Sequence, residues 1–156
     1  MDDLKFAVND VSVSYDNFII KNISFQLNRG DIMGLIGRSG AGKSTILKTI
    51  IGIKRPDTGS IKLYNEDKIF SLTKNLGYSP QENSLYPFLT IKENIHIFAR
   101  LNKVPEKKIW PDAKVLLKRL DIEKQADKRI NQLSGGMQKR ADIAVSLIHS
   151  PKIIML

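Results

Sequence analysis

The sequence predicts an α/β fold, and three observations support this prediction. A compact apolar run, "IMGLIG", leads through glycines into "KSTILKTIIG", whose isoleucines and leucine fall on one helical face. Before it, residues 4–27 alternate apolar and polar positions in short bursts, as antiparallel strands joined by tight turns do. After it, residues 90–120 have the apolar spacing of helices. Strands and helices are therefore expected in one chain, with a strand feeding directly into a helix.

The first half of the chain is predicted to form strands separated by turns. The polar segments 9–10, 16–17 and 28–30 interrupt the alternation and predict turns. "IMGLIG" predicts a buried strand, and Gly52 predicts the C-terminal end of the helix that follows it. The stretch "PDTGSIKLY" predicts a turn and a strand, and "NLGYSPQ" predicts a short strand that ends at Pro80.

The second half of the chain is predicted to be mostly helical. Residues 90–120 predict a helical insert. One apolar side of that insert is predicted to gather Val115, Leu116, Leu117 and Leu120. A further helix is predicted after Ser134, through "GGMQKRADIAVSLIHS", with Pro151 beyond its end. The chain closes with "IIML", and four apolar residues after a helix predict a buried parallel strand.

Length and composition restrict the class of protein. With 156 residues, 42% hydrophobic and 26% charged, the chain suits one soluble globular domain. Its net charge of +9 comes from basic residues spread along the whole length, so we expect no nucleic-acid partner. The lack of cysteine excludes disulfides and thiolate metal sites, and two distant histidines make a poor metal site. The acidic start and the lack of a stretch of ~18 apolar residues predict a cytosolic protein.

One glycine-rich stretch carries a recognisable chemistry. "GRSGAGKS" fits the pattern G-x-x-x-x-G-K-[ST], with a predicted strand before it and a predicted helix after it. A polyphosphate needs several backbone N–H groups aimed inward at once, which small residues permit. The candidate phosphate-binding residues are Gly37, Arg38, Ser39, Gly40, Ala41, Gly42, Lys43, Ser44 and Thr45. The alternative is a glycine-rich turn that binds no ligand.

The helix end in this stretch needs help from side chains. A helix N-terminus alone stabilises an anion by about 0.3 to 1 kcal/mol, which is too little to hold a nucleotide. Lys43 is therefore predicted to add a full charge at the β- and γ-phosphates. The Ser44 hydroxyl is predicted to be a ligand of Mg²⁺, and Thr45 to reach neighbouring phosphate oxygens.

Three stretches in this order, "GRSGAGKST", "YSPQENSLYPFLTIKENI" and "LSGGMQKR", resemble the nucleotide-binding domain of ATP-binding cassette (ABC) proteins over all 156 residues. The resemblance implies a P-loop NTPase fold, with a RecA-like core, an N-terminal antiparallel β-subdomain and a helical insert. It divides the chain into residues 1–81 as core, 82–133 as a mostly helical subdomain, and 134–156 as the signature helix and the start of the Walker B strand. ATP and Mg²⁺ are the cofactors it implies.

The resemblance also gives roles to residues outside the phosphate loop. Tyr15 lies where the family has an aromatic that stacks on adenine, although an aromatic at a strand end looks the same. Gln81 matches a glutamine that contacts Mg²⁺ and the attacking water, at the joint between core and insert; a plain loop residue is the alternative. Ser134, Gly135 and Gly136 open a helix that in the family reaches the γ-phosphate of the partner's ATP in a head-to-tail dimer.

The remaining features concern partners. "LYPFLTIKENIHIFARL" is most similar to cassettes of the drug and polysaccharide exporter type, in which a cytosolic ATPase subunit pairs with membrane permease subunits. The resemblance thus implies an ATPase that powers transport and lies peripherally at the inner face of a membrane. Two alternatives stay open: a soluble ABC ATPase acting on ribosomes or DNA, and a nucleotide-binding fragment without catalysis. Met137, where many members have glutamine, is expected to have a small effect.

The last residues, "PKIIML", correspond to a strand that the family follows at once with Asp and then Glu. In the family the Asp holds Mg²⁺ through water, and the Glu polarises the attacking water. Neither follows Leu156, so the resemblance implies a domain truncated at the Walker B strand, with the catalytic Glu absent. A positioned general base is typically worth ~10² to 10⁴ in rate. We therefore expect these 156 residues to bind ATP and to hydrolyse it negligibly.

Overall fold

The computed structural model describes residues 4–15, 18–64, 69–82 and 84–156. The chain forms two compact units, Met1–Thr73 and Lys74–Leu156. The strands are β1 (Lys5–Tyr15), β2 (Phe18–Asn28), β3 (Thr58–Tyr64), β4 (Ile69–Phe70), β5 (Leu76–Tyr78) and β6 (Ile153–Met155). The α-helices are α1 (Lys43–Ile50), α2 (Ile91–Leu101), α3 (Glu106–Arg119) and α4 (Gly135–Leu147), and 3₁₀ helices span Glu123–Gln125 and Ile130–Gln132.

The first unit contains an antiparallel sheet of order β2-β1-β3-β4. β1 and β2 pair along their length, which confirms the antiparallel strands predicted for residues 4–27. The turn predicted at residues 9–10 is wrong, because β1 continues through this point with a bulge that absorbs the irregularity. The turn predicted at residues 28–30 is present, with Gly30 at a φ of 88°. The turn predicted at residues 16–17 lies outside the described residues.

The buried strand predicted in "IMGLIG" is also wrong. Residues 31–38 form neither strand nor helix, and the side chains of Ile32 and Ile36 are 98% and 95% exposed. A parallel strand gains its burial from neighbouring strands and from helices on both faces of the sheet. The described strands of this unit pair only with one another, so none of them forms hydrogen bonds with residues 31–38 as a neighbouring strand would. The helix predicted after it is confirmed as α1, and Gly52 follows the helix end at a φ of 84°.

The second unit pairs β5 with β6 in parallel. This pairing confirms the short strand predicted in "NLGYSPQ" and the parallel strand predicted in the last apolar run. The full burial predicted for β6 is wrong, since Ile153 and Met155 are half-buried and Ile154 is 40% exposed. Among the described residues β6 has a paired strand on one edge only, which accounts for this exposure.

Helices α2, α3 and α4 surround the core of the second unit, as predicted for a helical insert followed by a further helix. The buried members of this core are Leu85, Ile91, Ile95, Ala99, Ile109, Ala113, Leu117, Ile122, Ala126, Ile130, Leu133, Ala141, Ala144, Val145 and Ile148. Val115 was predicted to share a face with Leu117, but it is 53% exposed, because residues two apart on a helix point about 200° away from each other. Within the described ranges, no helix combines the length and the apolar character required to span a bilayer.

Backbone hydrogen bonds tie the start of α2 to the segment before the signature. Ile91 N–H donates to Lys128 O at 3.1 Å, and Ile130 N–H donates to Leu89 O at 3.0 Å. The buried Asn94 accepts from Tyr86 N–H at 2.8 Å and donates to Tyr86 O at 3.1 Å. The segment that follows Gln81 is thus fixed to the helical core by its own backbone.

Gly77 in β5 packs directly against the last turn of α4. A Cβ placed on Gly77 would meet Ser146 O at 2.4 Å and Pro151 Cγ at 2.9 Å. A backbone oxygen cannot turn aside, so we expect Gly77→Ala to lower the free energy of unfolding by about 1 to 3 kcal/mol in urea denaturation. Gly34→Ala is the matched control, since no atom of the described residues lies within 4 Å of a Cβ there. An equal effect of both substitutions would contradict this packing.

The capping box of α2 generates a pH prediction. Hydrogen bonds from the Thr90 N–H and hydroxyl, both 2.8 Å, hold the pKa of Glu93 below its ordinary value. A carboxyl whose pKa is lowered on folding stabilises the native state above its unfolded pKa and loses this effect as the pH falls through the folded pKa. We expect Glu93→Gln to reduce the pH dependence of the free energy of unfolding below about pH 4.5. An unchanged slope would contradict the role of this carboxylate.

Candidate nucleotide-binding site

The glycine-rich loop turns sharply before α1. Gly40 and Gly42 adopt φ angles of 79° and 90°, in the left-handed region that favours glycine. A turn is closed by Ala41 N–H, which donates to Arg38 O at 3.2 Å. A Cβ on Gly42 would also lie 2.7 Å from side-chain atoms of Phe18 and Ile20 at the start of β2. The backbone of this loop is therefore one that only its glycines can adopt without strain.

Helix α1 begins on this loop with its positive end uncompensated. Gly42 is its N-cap and offers no side-chain acceptor, and no acidic residue lies in the first turn. The first N–H groups of a helix have no acceptor within it, and its dipole places a partial positive charge there. The buried side chains of Ile46 and Ile50 anchor this helix. This arrangement supplies N–H donors and positive charge at an exposed point.

Lys43 extends back over the same loop. Its Nζ donates to Gly37 O at 2.7 Å and to Arg38 O at 2.9 Å. The ammonium thus lies over the loop, as the sequence predicts for a group that neutralises phosphate. Ser44 is exposed and Thr45 is half-buried in the first turn.

The Mg²⁺ that the motif implies is compatible with these residues. Mg²⁺ keeps several water ligands and is usually held by one or two protein oxygens together with the phosphates of its substrate. An exposed Ser44 hydroxyl in the first turn of α1 suits this role. Within the described ranges, no three His, Cys, Asp or Glu side chains gather as a metal site, so phosphate oxygens would have to complete the coordination.

Tyr15 closes β1, where its backbone pairs with Phe18 of β2. Its side chain lies outside the described residues, so the stacking predicted for it stays a prediction. The preceding residue is held firmly: the Ser14 hydroxyl and N–H both donate to Asp57 Oδ2 at 2.6 Å. These two hydrogen bonds lower the pKa of Asp57. They fix the end of the strand from which Tyr15 extends.

Gln81 lies in the second unit, in the bend that follows β5, and it is exposed. The residues around it contact α4. Asp142 is buried and accepts hydrogen bonds from the Ser79 and Ser84 hydroxyls, and Lys139 Nζ donates to Pro80 O at 2.8 Å. Sequence reasoning assigned no role to these partners. The signal in the sequence was an acidic residue among alanines on a helix face that is otherwise buried, because a buried acid needs hydrogen-bond donors.

Ser134, Gly135 and Gly136 begin α4 as predicted. Ser134 is the N-cap, and its hydroxyl accepts from Met137 N–H at 3.4 Å. Both glycines are exposed, and nothing lies within 4 Å of a Cβ placed on either. Packing against the described residues therefore does not require glycine here, although glycine lowers helix stability relative to alanine. An exposed helix end kept free of side chains suits the close approach of a ligand.

Met137 is half-buried and packs against the core of the second unit. The neighbouring Gln138 supplies the polar contacts instead, since its Nε2 donates to Ile130 O and Leu133 O, each at 3.1 Å. These bonds fix the backbone that leads into Ser134. The helix end is thus held without a hydrogen-bonding side chain at position 137, and the small effect expected of this departure stays a prediction.

The first turns of the helices differ in charge. α2 and α3 carry Glu93 and Glu106 there, as helices commonly do to offset the dipole. α1 and α4 carry no acidic residue in the first turn. The two helices predicted to meet phosphate are therefore the two whose positive ends are left without an acid of their own.

Comparison with known proteins places the chain in a family. The family model described as "ABC transporter" matches residues 20–156. ABC transporter G family member 23 of Dictyostelium discoideum is 36% identical over 99% of this chain and 23% of its own length. The spermidine/putrescine import ATP-binding protein PotA of Aggregatibacter actinomycetemcomitans is 34% identical over 96% of this chain and 41% of its own length. The chain therefore belongs to the ABC transporter family.

Solved structures agree with this assignment. The structure of cbiO1 from Clostridium perfringens, described as part of the ABC transporter complex cbiONQ, matches with a TM-score of 0.81 and 28% identity over 99% of this chain and 64% of that chain. This match confirms the α/β fold of an ABC nucleotide-binding domain, with its antiparallel subdomain and helices. The chain spans less than half the length of the two curated relatives that it matches.

Two substitutions at the start of α4 distinguish the contribution of the N-cap to stability from that of packing. Ser134→Ala removes the N-cap acceptor and is expected to lower the free energy of unfolding by about 1 kcal/mol. Gly135→Ala is expected to leave it unchanged or to raise it by up to about 1 kcal/mol, because the site is open and alanine favours helix. Thermal and urea unfolding measure both. A loss in Gly135→Ala as large as that in Ser134→Ala would show that the glycine is required by packing.

Proposed function

We propose that this chain is the ATP-binding part of an ATPase that powers transport across a membrane. The observation that carries this proposal is the exposed loop 37–42, whose glycines turn the backbone into the uncompensated end of α1 with the Lys43 ammonium over it. Backbone N–H groups, a helix end and a lysine together form a phosphate site. Ser44 would hold Mg²⁺, which when bound supplies positive charge to the β- and γ-phosphate oxygens.

The remaining site residues extend this proposal. Tyr15 would stack on the adenine, and Gln81 would contact Mg²⁺ and orient the attacking water. The helix that begins at Ser134 would bind the γ-phosphate of an ATP on a second nucleotide-binding domain, so that two ATP molecules join a head-to-tail dimer. The open space over Gly135 and Gly136 supports this role.

The proposed partners are membrane permease subunits, which would hold the protein peripherally at the inner face of a membrane. The cbiO1 structure is described as part of a transporter complex, and PotA is named as an import ATP-binding protein. The stretch "LYPFLTIKENIHIFARL" favours export. Co-purification of the chain with its permease and transport assays in vesicles would decide the direction.

Hydrolysis is proposed to need more than these 156 residues. The family resemblance places the Asp and Glu that prepare the attacking water after Leu156. No acidic residue stands within the loop and first turn at positions 37–45. We therefore expect a polypeptide of these 156 residues to bind ATP and Mg²⁺ without measurable turnover.

The test compares two lysines of one helix. Lys43→Ala is expected to weaken ATP binding by roughly 10- to 100-fold, the equivalent of about 1.5 to 3 kcal/mol for a charged hydrogen bond. Lys48→Ala removes the same charge from the last turn of α1 and is expected to change the affinity by less than about threefold. Calorimetry with ATP and Mg²⁺ measures the affinity, and phosphate release measures turnover.

Equal effects of the two lysine substitutions would mean that only net charge attracts the nucleotide. Phosphate release by the 156-residue polypeptide that disappears in Lys43→Ala would overturn the proposed need for carboxylates beyond it, and an acid within the chain would then have to serve.

A further inference from the structure

A buried carboxylate holds both sides of the loop that carries Gln81. Asp142, in the second turn of α4, is 2% exposed. Its Oδ2 accepts from the Ser79 hydroxyl, and its Oδ1 accepts from the Ser84 hydroxyl at 2.8 Å. An acid is costly to bury unless it is paired and hydrogen-bonded. These two serines supply the hydrogen bonds, from positions before and after Gln81.

Lys139, one turn before Asp142 on the same helix, binds the same loop. Its Nζ donates to the Ser79 hydroxyl at 2.7 Å, to Ser79 O at 3.1 Å and to Pro80 O at 2.8 Å. The Nζ also lies 3.9 Å from Asp142 Oδ2. An ammonium has three N–H donors, and three loop acceptors surround this one. We call Ser79, Ser84, Lys139 and Asp142 the loop clamp.

The loop clamp restricts how the glutamine can move. Ser79 is further fixed to β6, because its N–H donates to Met155 O at 2.9 Å. Gln81 therefore lies in the sequence between Ser79 and Ser84, which are both bonded to α4, while its own side chain is exposed. Ser79 and Ser84 cannot shift without breaking their hydrogen bonds to the buried Asp142 side chain, and hydrogen bonds to a carboxylate are stronger than those between neutral groups.

The same helix begins at the signature residues. Asp142 lies seven residues after Gly135, which is roughly 10 Å along the helix axis. We propose that Asp142, through the loop clamp, is a positioning residue for Gln81 and couples Gln81 to the start of α4 within the second unit. This inference rests on the proposed nucleotide site, and it adds residues to which neither the motifs nor the comparisons give a role.

The test measures how much Mg²⁺ strengthens ATP binding, as the ratio of ATP affinities on the full chain with Mg²⁺ and with EDTA. Gln81→Ala is expected to lower this ratio and to leave binding in EDTA unchanged. Asp142→Asn keeps the shape but replaces one acceptor by a donor. It is expected to lower the ratio about tenfold, as is typical when a group that orients a metal ligand is changed.

Ser84→Ala provides a second variant, since Ser84 is exposed and its loss leaves no cavity. It is expected to lower the ratio in the same direction. The double variant of Asp142→Asn and Gln81→Ala should be no weaker than Gln81→Ala alone, because both act through one contact. Asp121→Asn is the control: this acid, which follows the end of α3, is 98% exposed and pairs with Arg140 of α4 at 3.6 Å.

The outcomes separate this inference from the site on which it rests. A lowered ratio in Asp142→Asn and Ser84→Ala, with binding in EDTA unchanged, supports it. A loss only in Gln81→Ala, or equal losses with and without Mg²⁺ in the clamp variants, would overturn it and leave the nucleotide site intact. Should Asp142→Asn fail to fold by circular dichroism, Ser84→Ala decides. No ATP binding by the wild type, or no effect of Gln81→Ala, would overturn the proposed site residues and this inference with them.

Discussion

The proposed function depends on one physical interaction, the attraction between the partial positive charge at the start of a helix and an anion. α1 and α4 begin without an acidic residue in their first turns, whereas α2 and α3 have one. A helix end of this kind stabilises an anion by only about 0.3 to 1 kcal/mol when exposed. Under the proposed function, Lys43 and the glycine loop before it would add a full positive charge and backbone N–H groups to the helix end, and together these would form a phosphate site.

The second unit uses a different interaction to place its own helix end. Apolar packing of α2, α3 and α4 fixes the helix axis, and polar contacts then fix the loops at its sides. Gln138 holds the backbone before Ser134, and Asn94 holds the backbone at Tyr86. Each of these side chains satisfies backbone groups that burial would otherwise leave unpaired. The exposed glycines at the start of α4 thus extend from a rigid support.

The sequence predicted the parts of the molecule that depend on neighbouring residues. The glycine loop and α1 follow from local spacing, and Gly52 and Ser134 mark helix ends because their backbone preferences are local. The prediction of a strand at "IMGLIG" was wrong because the burial of a strand is decided by its partner strands and helices. Residue Val115 was misplaced because an apolar residue two positions from Leu117 lies on the opposite side of the helix.

The contacts around Gln81 could not have been predicted for a related reason. Asp142 meets Ser79 across a sequence separation of 63, and no spacing rule connects residues that far apart. The motif match gave Gln81 its proposed role, but the groups that hold it became visible only with the fold. The same applies to Asp57, which fixes the end of β1 from a separation of 43.

A backbone amide titration tests the proposed phosphate site most directly. ¹H–¹⁵N spectra of the chain would be recorded with increasing ATP and Mg²⁺. We expect the largest shift changes at the amides of residues 40–45, because these N–H groups would donate to the phosphates. Changes that are largest over the lysines of α3, with none at residues 40–45, would contradict a phosphate site at this helix end.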